Sequence, residues 1–138
     1  MSGASVTGRR KDRPLEWFLA GYSILWGCAA YLANSDPNRQ VDALSLFDGA
    51  AWAGVSAALG VAHMVCLLIN GTMAWTPVAR LLVTAVNAGF FAKVAAMQWF
   101  AEGVASSISA TYVAVGFVWC AYVAGQDAAR MRLGSYGL

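Results

Sequence analysis

The stretch TPVARLLVTAVNAGFFAKVAAMQWF, residues 76–100, decides how this chain is read. It is almost wholly apolar, yet it carries Arg80, Asn87 and Lys93. An α-helix rises about 1.5 Å per residue, so about 20 apolar residues cross the roughly 30 Å hydrocarbon core of a bilayer. The stretch meets that length. Its cations must then find partners inside or at the edge of lipid, where an unaccompanied charge is costly.

Composition points the same way. The chain has 138 residues, of which 59% are hydrophobic and 12% charged, about half the charged share of a typical soluble domain. The mean hydropathy is +0.57. A net charge of +2, gathered near the two ends, excludes an extended nucleic-acid-binding surface. Cys28, Cys66 and Cys120 are odd in number and lie in apolar runs, as buried thiols do and disulfide frameworks do not.

Four segments reach spanning length: residues 14–34, about 46–69, 76–101 and 104–125. None alternates polar and apolar residues as a barrel strand must. All four are therefore expected to be helices, the first and third opened by Pro14 and Pro77, residues suited to a first turn. The first segment follows a basic front, but its apolar run is longer than a signal-peptide core and lacks a clear small-x-small cleavage site. It reads as a retained span. The expected layout is a basic tail (1–13), one transmembrane domain (14–126) and a short C-terminal tail (127–138), with no second soluble domain.

Lys and Arg set the orientation. Arg9, Arg10, Lys11 and Arg13 precede the first span, Arg80 opens the third, and Arg130 and Arg132 follow the fourth. Asp36, Arg39, Asp42 and Glu102 fall on the opposite side. Both termini are thus expected in the cytoplasm. The connections are short, with Asp36-Pro37 reading as a turn. They leave no room for an extramembrane catalytic domain and force neighbouring helices into antiparallel contact, an all-α up-and-down bundle. Asn70-Gly71-Thr72 spells a glycosylation acceptor, but it lies on the cytoplasmic side and reads as a helix end.

Helices in lipid pack through small residues. The second span has two rows of them, Gly49, Ala53 and Ala57, and Ala50, Gly54 and Ala58, and is expected at the centre of the bundle. Trp17, Trp75 and Trp99 lie near span ends, where amphipathic rings favour the headgroup layer.

The polar residues within spans are the candidate sites. His63, the one histidine, is the only candidate for a cofactor contact or proton relay; its plain reading is a side chain hydrogen-bonded to a Ser, Thr or Asn of a neighbouring span. Glu16 lies two residues past Pro14, at the membrane boundary. The small multidrug resistance transporters hold their essential carboxylate deep in the first span, so Glu16 is expected to act locally, at a helix N-terminus and beside a cation. Arg80, Glu16 and Asp127 fall at the same membrane face, and Arg80 is expected to contact Glu16 or Asp127 through its planar fork. Lys93 is expected to pair with Asp48 at the opposite face, setting the register of the second and third spans. Asn87 lies off that face and should bond a different helix. No metal set, nucleophilic triad or phosphate loop is present, so no enzyme activity and no cofactor are expected.

Three motifs carry a resemblance: LLINGTMAWTPVARLL (67–82), SSISATYVAV (106–115) and GQDAARMRL (125–133). An Asn-Gly turn, a Thr-Pro-x-x-Arg helix start and a Tyr in the last span, in this order, resemble small polytopic membrane proteins encoded by tailed bacteriophages, over roughly residues 50–132. The resemblance implies a protein of the host inner membrane or the virion, tied to genome delivery, exclusion or lysis. The expected function is a non-enzymatic structural or interaction subunit, with lipid and other helices as partners, whether in a homo-oligomer or a larger complex. Its alternatives are a holin-like permeabiliser and an accessory subunit of a respiratory or photosynthetic complex.

Overall fold

The computed structural model describes residues 13–34, 49–69, 75–102 and 104–135. These form four helices, α1 (Pro14–Asn34), α2 (Gly49–Leu68), α3 (Thr76–Glu102) and α4 (Val104–Ser135). Two starts follow from local chemistry. The Arg13 carbonyl accepts from the Trp17 amide at 3.1 Å, and the Trp75 carbonyl accepts from Val78 and Ala79 at 3.0 and 3.1 Å. Pro14 and Pro77 occupy first-turn positions where a missing N–H costs nothing.

α4 differs from its expected extent. It does not stop near Gly125 but continues to Ser135, 32 residues in all. Ala128, Ala129, Arg130, Met131, Arg132 and Leu133 are strong helix formers, and one glycine is too small a penalty to end the run. At about 1.5 Å per residue the helix is about 48 Å long, well over a bilayer core.

Among the described residues, three segments are long and apolar enough to cross a membrane: Ala51–Leu68, Thr76–Phe100 and Ser107–Arg130. α1 has the length, at 21 residues, but Glu16, Tyr22, Ser23 and Tyr31 lower its hydropathy and it is not among the three. The distribution of polarity is inverted relative to a soluble bundle. Leu25, Leu32, Leu82, Val115, Val118 and Phe100 are exposed, while Glu16, His63, Arg80 and Asn87 are buried.

α1 packs mainly on α2 and α3 mainly on α4; the two pairs meet through lesser α2–α3 and α1–α4 contacts. Within each pair the helices run antiparallel, since Gly27 meets Ala53 and Ala57 while Gly60 meets Ala20 and Ile24, and Arg80 meets Asp127 while Phe91 meets Phe117. The first of these contacts is backbone to backbone. A Cβ on Gly27 would lie 2.6 Å from the Ala53 carbonyl oxygen, and one on Gly60 would lie 2.8 Å from that of Ala20. Glycine is required at both places.

Only one of the two small rows of α2 is used this way. Ala53 is buried and Ala57 touches Gly27, whereas Gly54 and Ala58 face outward, with nothing within 4 Å of a Cβ built on Gly54. Side-chain placement at Gly49 and Ala50 lies outside the described residues. Nor is α2 central: Ala51, Gly54, Val55, Ala58, Val61, Val65 and Leu68 give it a continuous outer face. Small residues make α2 a close partner of one helix, and a bundle of four places none at its centre.

The core is aromatic and draws on every helix. Tyr22 and Trp26 of α1, Trp52 of α2, Phe90 and Phe91 of α3 and Phe117 of α4 form one connected group. Phe91 stacks on Phe117 at 5.7 Å and 12°, and Trp26 meets Phe90 edge-on at 82°. Trp17, Trp75 and Trp99, at helix ends, are exposed.

Candidate functional site

Four charged side chains close a ring at the end of the bundle where α1 and α3 begin. Arg13 Nη1 donates to Glu16 Oε1 at 2.7 Å, and its Nη2 donates to Asp127 Oδ2 at 2.5 Å. Arg80 Nε lies 3.0 Å from Glu16 Oε2, and Arg80 Nη2 donates to Asp127 Oδ2 at 2.8 Å. Each guanidinium thus holds both carboxylates, and each carboxylate holds both guanidiniums. Arg80 is fully buried and the Glu16 side chain is 5% exposed. Charges so enclosed are tolerable only when paired in good geometry, and the forked guanidinium suits the task in a way that an ammonium does not.

The structure brings together Arg80, Glu16 and Asp127, with Arg80 reaching both acids. It adds Arg13, which by sequence belongs to the basic tail. His63 of α2 completes the layer. Its Nε2 is 3.8 Å from Glu16 Oε2, and its ring lies 5.8 Å from that of Phe117. The expected Ser, Thr or Asn partner is not there: neither ring nitrogen has a hydrogen-bond partner among the described residues. The histidine faces an ion-paired carboxylate because Glu16 projects from the adjacent helix at its level.

A second, uncharged layer lies one heptad deeper. Ser23 Oγ donates to Asn87 Oδ1 at 3.1 Å, and Ser56 Oγ donates to the Ser23 carbonyl at 2.9 Å. Asn87 Nδ2 donates to the Val83 carbonyl at 2.9 Å. The spacing repeats on three helices, from Glu16 to Ser23, from His63 back to Ser56, and from Arg80 to Asn87. Seven residues are close to two helical turns, or about 10.5 Å, and return a side chain to nearly the same face. On α4, seven residues before Asp127, stands the buried Cys120. Between the layers Thr84 donates back to the carbonyls of Arg80 and Leu81 at 2.8 and 3.0 Å, the usual way a hydroxyl is satisfied inside an apolar helix. Asn87 therefore bonds α1, while Ser23 and Ser56 were not singled out in the sequence. Their signal is the shared seven-residue offset from a charged neighbour, visible only once the helices are paired.

Lys93 sits toward the other end of α3. Its ammonium lies 4.2 Å from the ring centroid of Trp52, a cation–π geometry that lowers the cost of a half-buried charge. Asp48, its expected partner, lies outside the described residues. The contact does join the second and third helices at this level.

Fold and site together make this an all-helical protein compatible with an integral membrane protein, with a paired-charge core at one end. Comparison with protein-family models, with curated proteins and with solved structures finds no match.

Proposed function

We propose that the chain is a four-span, non-enzymatic membrane subunit that works by packing against other helices. The observation that supports this best is the contrast between its interior and its exterior. Inside, the charges are spent on one another and aromatic rings fill the space beyond the polar layers. Outside, small residues are left open: Gly54 and Ala58 on α2, and Ala85, Gly89, Ala92 and Ala96 on α3. Nothing in the chain lies within 4 Å of a Cβ built on Gly54 or Gly89. Small residues on a lipid-facing surface are where another helix approaches closely. The resemblance to phage-encoded membrane proteins supports a setting in the host inner membrane or a virion. α1 joins the three apolar segments as a fourth span because its charged residues, Arg13 and Glu16, are neutralised by α3 and α4. Both termini are then cytoplasmic.

The holin-like reading draws on the same open strips but needs a polar face to line a hole. The charged groups that could serve are bound to each other in the interior. Expressed alone in bacteria, the protein is expected to leave the membrane potential intact, read with a voltage-sensitive dye. An abrupt collapse after a delay would replace the subunit reading with the holin one.

Topology has its own measurement. A cytoplasm-active reporter fused after Leu138 and a periplasm-active one inserted near Asn38 should both give signal. Silence at both would mean an inverted chain.

A further inference from the structure

We propose that His63 is a proton-binding site inside the bundle, with the Glu16 carboxylate as its counter-ion and a groove between α1 and α4 as its way in. The role is separate from helix packing and does not rest on it.

The first ground is the unmet imidazole. His63 is fully buried, and neither ring nitrogen has a hydrogen-bond partner among the described residues. A buried polar group left so is expensive, and a methionine or leucine would fill the same space without that cost. A neutral ring carries one N–H. It either points that N–H toward Glu16 and leaves its other nitrogen a bare lone pair, or sets a lone pair against the carboxylate. The imidazolium carries N–H at both positions, so one faces Glu16 whichever way the ring lies.

The second ground is charge balance. Glu16 of α1 faces the ring and is tied in turn to Arg13, just before α1, and to Arg80 of α3, both of which hold Asp127 of α4. Cys120 lies seven residues before Asp127 on α4, and Cys66 three residues beyond His63 on α2. Two guanidiniums and two carboxylates cancel. The ring therefore sits beside a layer with no net charge, and Glu16 Oε2 lies 3.8 Å from its Nε2.

The third ground is access. The groove is lined by Arg13, Glu16, Trp119, Cys120 and Val123 and opens to the outside of the bundle. Glu16, whose carboxylate faces His63, is one of its walls. The step is simple in its accounting. A hydronium ion in the groove gives up a proton and becomes water, a new N–H bond forms on the imidazole, and the layer gains one positive charge. Glu16 remains a carboxylate at the end. An ionisable side chain within a membrane bundle is where proton chemistry is to be sought, and histidine is the side chain whose charge changes near neutral pH.

The chain has one histidine, so ¹⁵N-histidine labelling of the full-length protein in lipid vesicles gives a single imidazole to follow by solid-state NMR. On acidification, the two distinct resonances of a neutral ring should merge reversibly into the imidazolium pair while the helical signal is unchanged. In Glu16→Gln, the same uptake should require about ten times more acid, the change expected from losing one nearby opposite charge. A ring that stays in one neutral tautomer down to the pH at which the helices unfold overturns the proposal. So does uptake that is identical in wild type and Glu16→Gln. Should that variant fail to fold, the ¹³C carboxyl resonance of Glu16 in the wild-type protein decides. It should move over the same pH interval as the imidazole, and independent behaviour overturns the pairing.

Discussion

Arg80→Met should lose about 3–5 kcal/mol of stability, the usual cost of removing one partner from a buried ion pair. The substitution keeps a long apolar stem but leaves Glu16 Oε2 and Asp127 Oδ2 without the guanidinium now 3.0 and 2.8 Å away. Arg13 still holds both carboxylates, through Glu16 Oε1 and Asp127 Oδ2, so the ring should open without scattering and the effect should sit at the lower end of the range. Arg80→Lys should fall between wild type and Met, because one ammonium keeps the charge but lacks the planar fork that reaches two carboxylates on different helices. Reversible unfolding in mixed micelles, followed by tryptophan fluorescence, ranks the three. If Arg80→Lys matches wild type, charge alone matters at this position and the bridging geometry contributes nothing.

The α1–α2 contact should be equally unforgiving. In Gly27→Ala the new Cβ would stand 2.6 Å from the Ala53 carbonyl oxygen and 2.7 Å from the Ala57 nitrogen. Both are backbone atoms of a helix and cannot swing aside as a side chain would. Ordinary contact between such atoms is about 3.5 Å, so the helices must part by about 1 Å along their tightest seam. Overpacking of this kind typically costs 1–3 kcal/mol, and here the upper end is expected because parting the helices also weakens the bond from Ser56 Oγ to the Ser23 carbonyl, 2.9 Å long. Gly60→Ala meets Ala20 and Ile24 in the same way. Gly54→Ala is the control: it meets nothing, and alanine is about 1 kcal/mol better than glycine in a helix interior. It should be neutral or mildly stabilising in detergent. Equal losses at Gly27 and Gly54 would mean that the seam described here does not hold the pair together.

These two contacts were legible in the sequence to different degrees. Hydropathy and length locate four helices, and Pro14 and Pro77 mark two of their starts because proline is tolerated there and almost nowhere else in a helix. Placing Arg80 near Glu16 and Asp127 needed only the alternation of antiparallel spans, which brings the start of one and the end of another to a common level. Arg13 was missed because it precedes Pro14 and so counts as tail, although its side chain is long enough to fold back over the first turn. Ser23 and Ser56 were missed for a different reason. A serine in an apolar helix can satisfy itself on its own backbone, so nothing in one helix distinguishes it from a helix-internal hydroxyl. The choice between the two small rows of α2 was also not readable from α2 itself. It is made by Gly27 and Gly60, which allow one face to close on α1 and leave Gly54 outside. Depth alone likewise cannot choose a partner for Lys93, since Asp48 and Trp52 are only four residues apart in the sequence.

The ring of charges also imposes an order on the birth of the protein. Synthesis delivers Arg13 and Glu16 first, Arg80 next and Asp127 last. Until α4 arrives, the two guanidiniums of the ring share one carboxylate. The last helix supplies the missing anion. A chain ended before Asp127 holds both arginines of the ring against Glu16 alone, whereas the completed α4 balances the ring. The bundle carries its own proof of being finished.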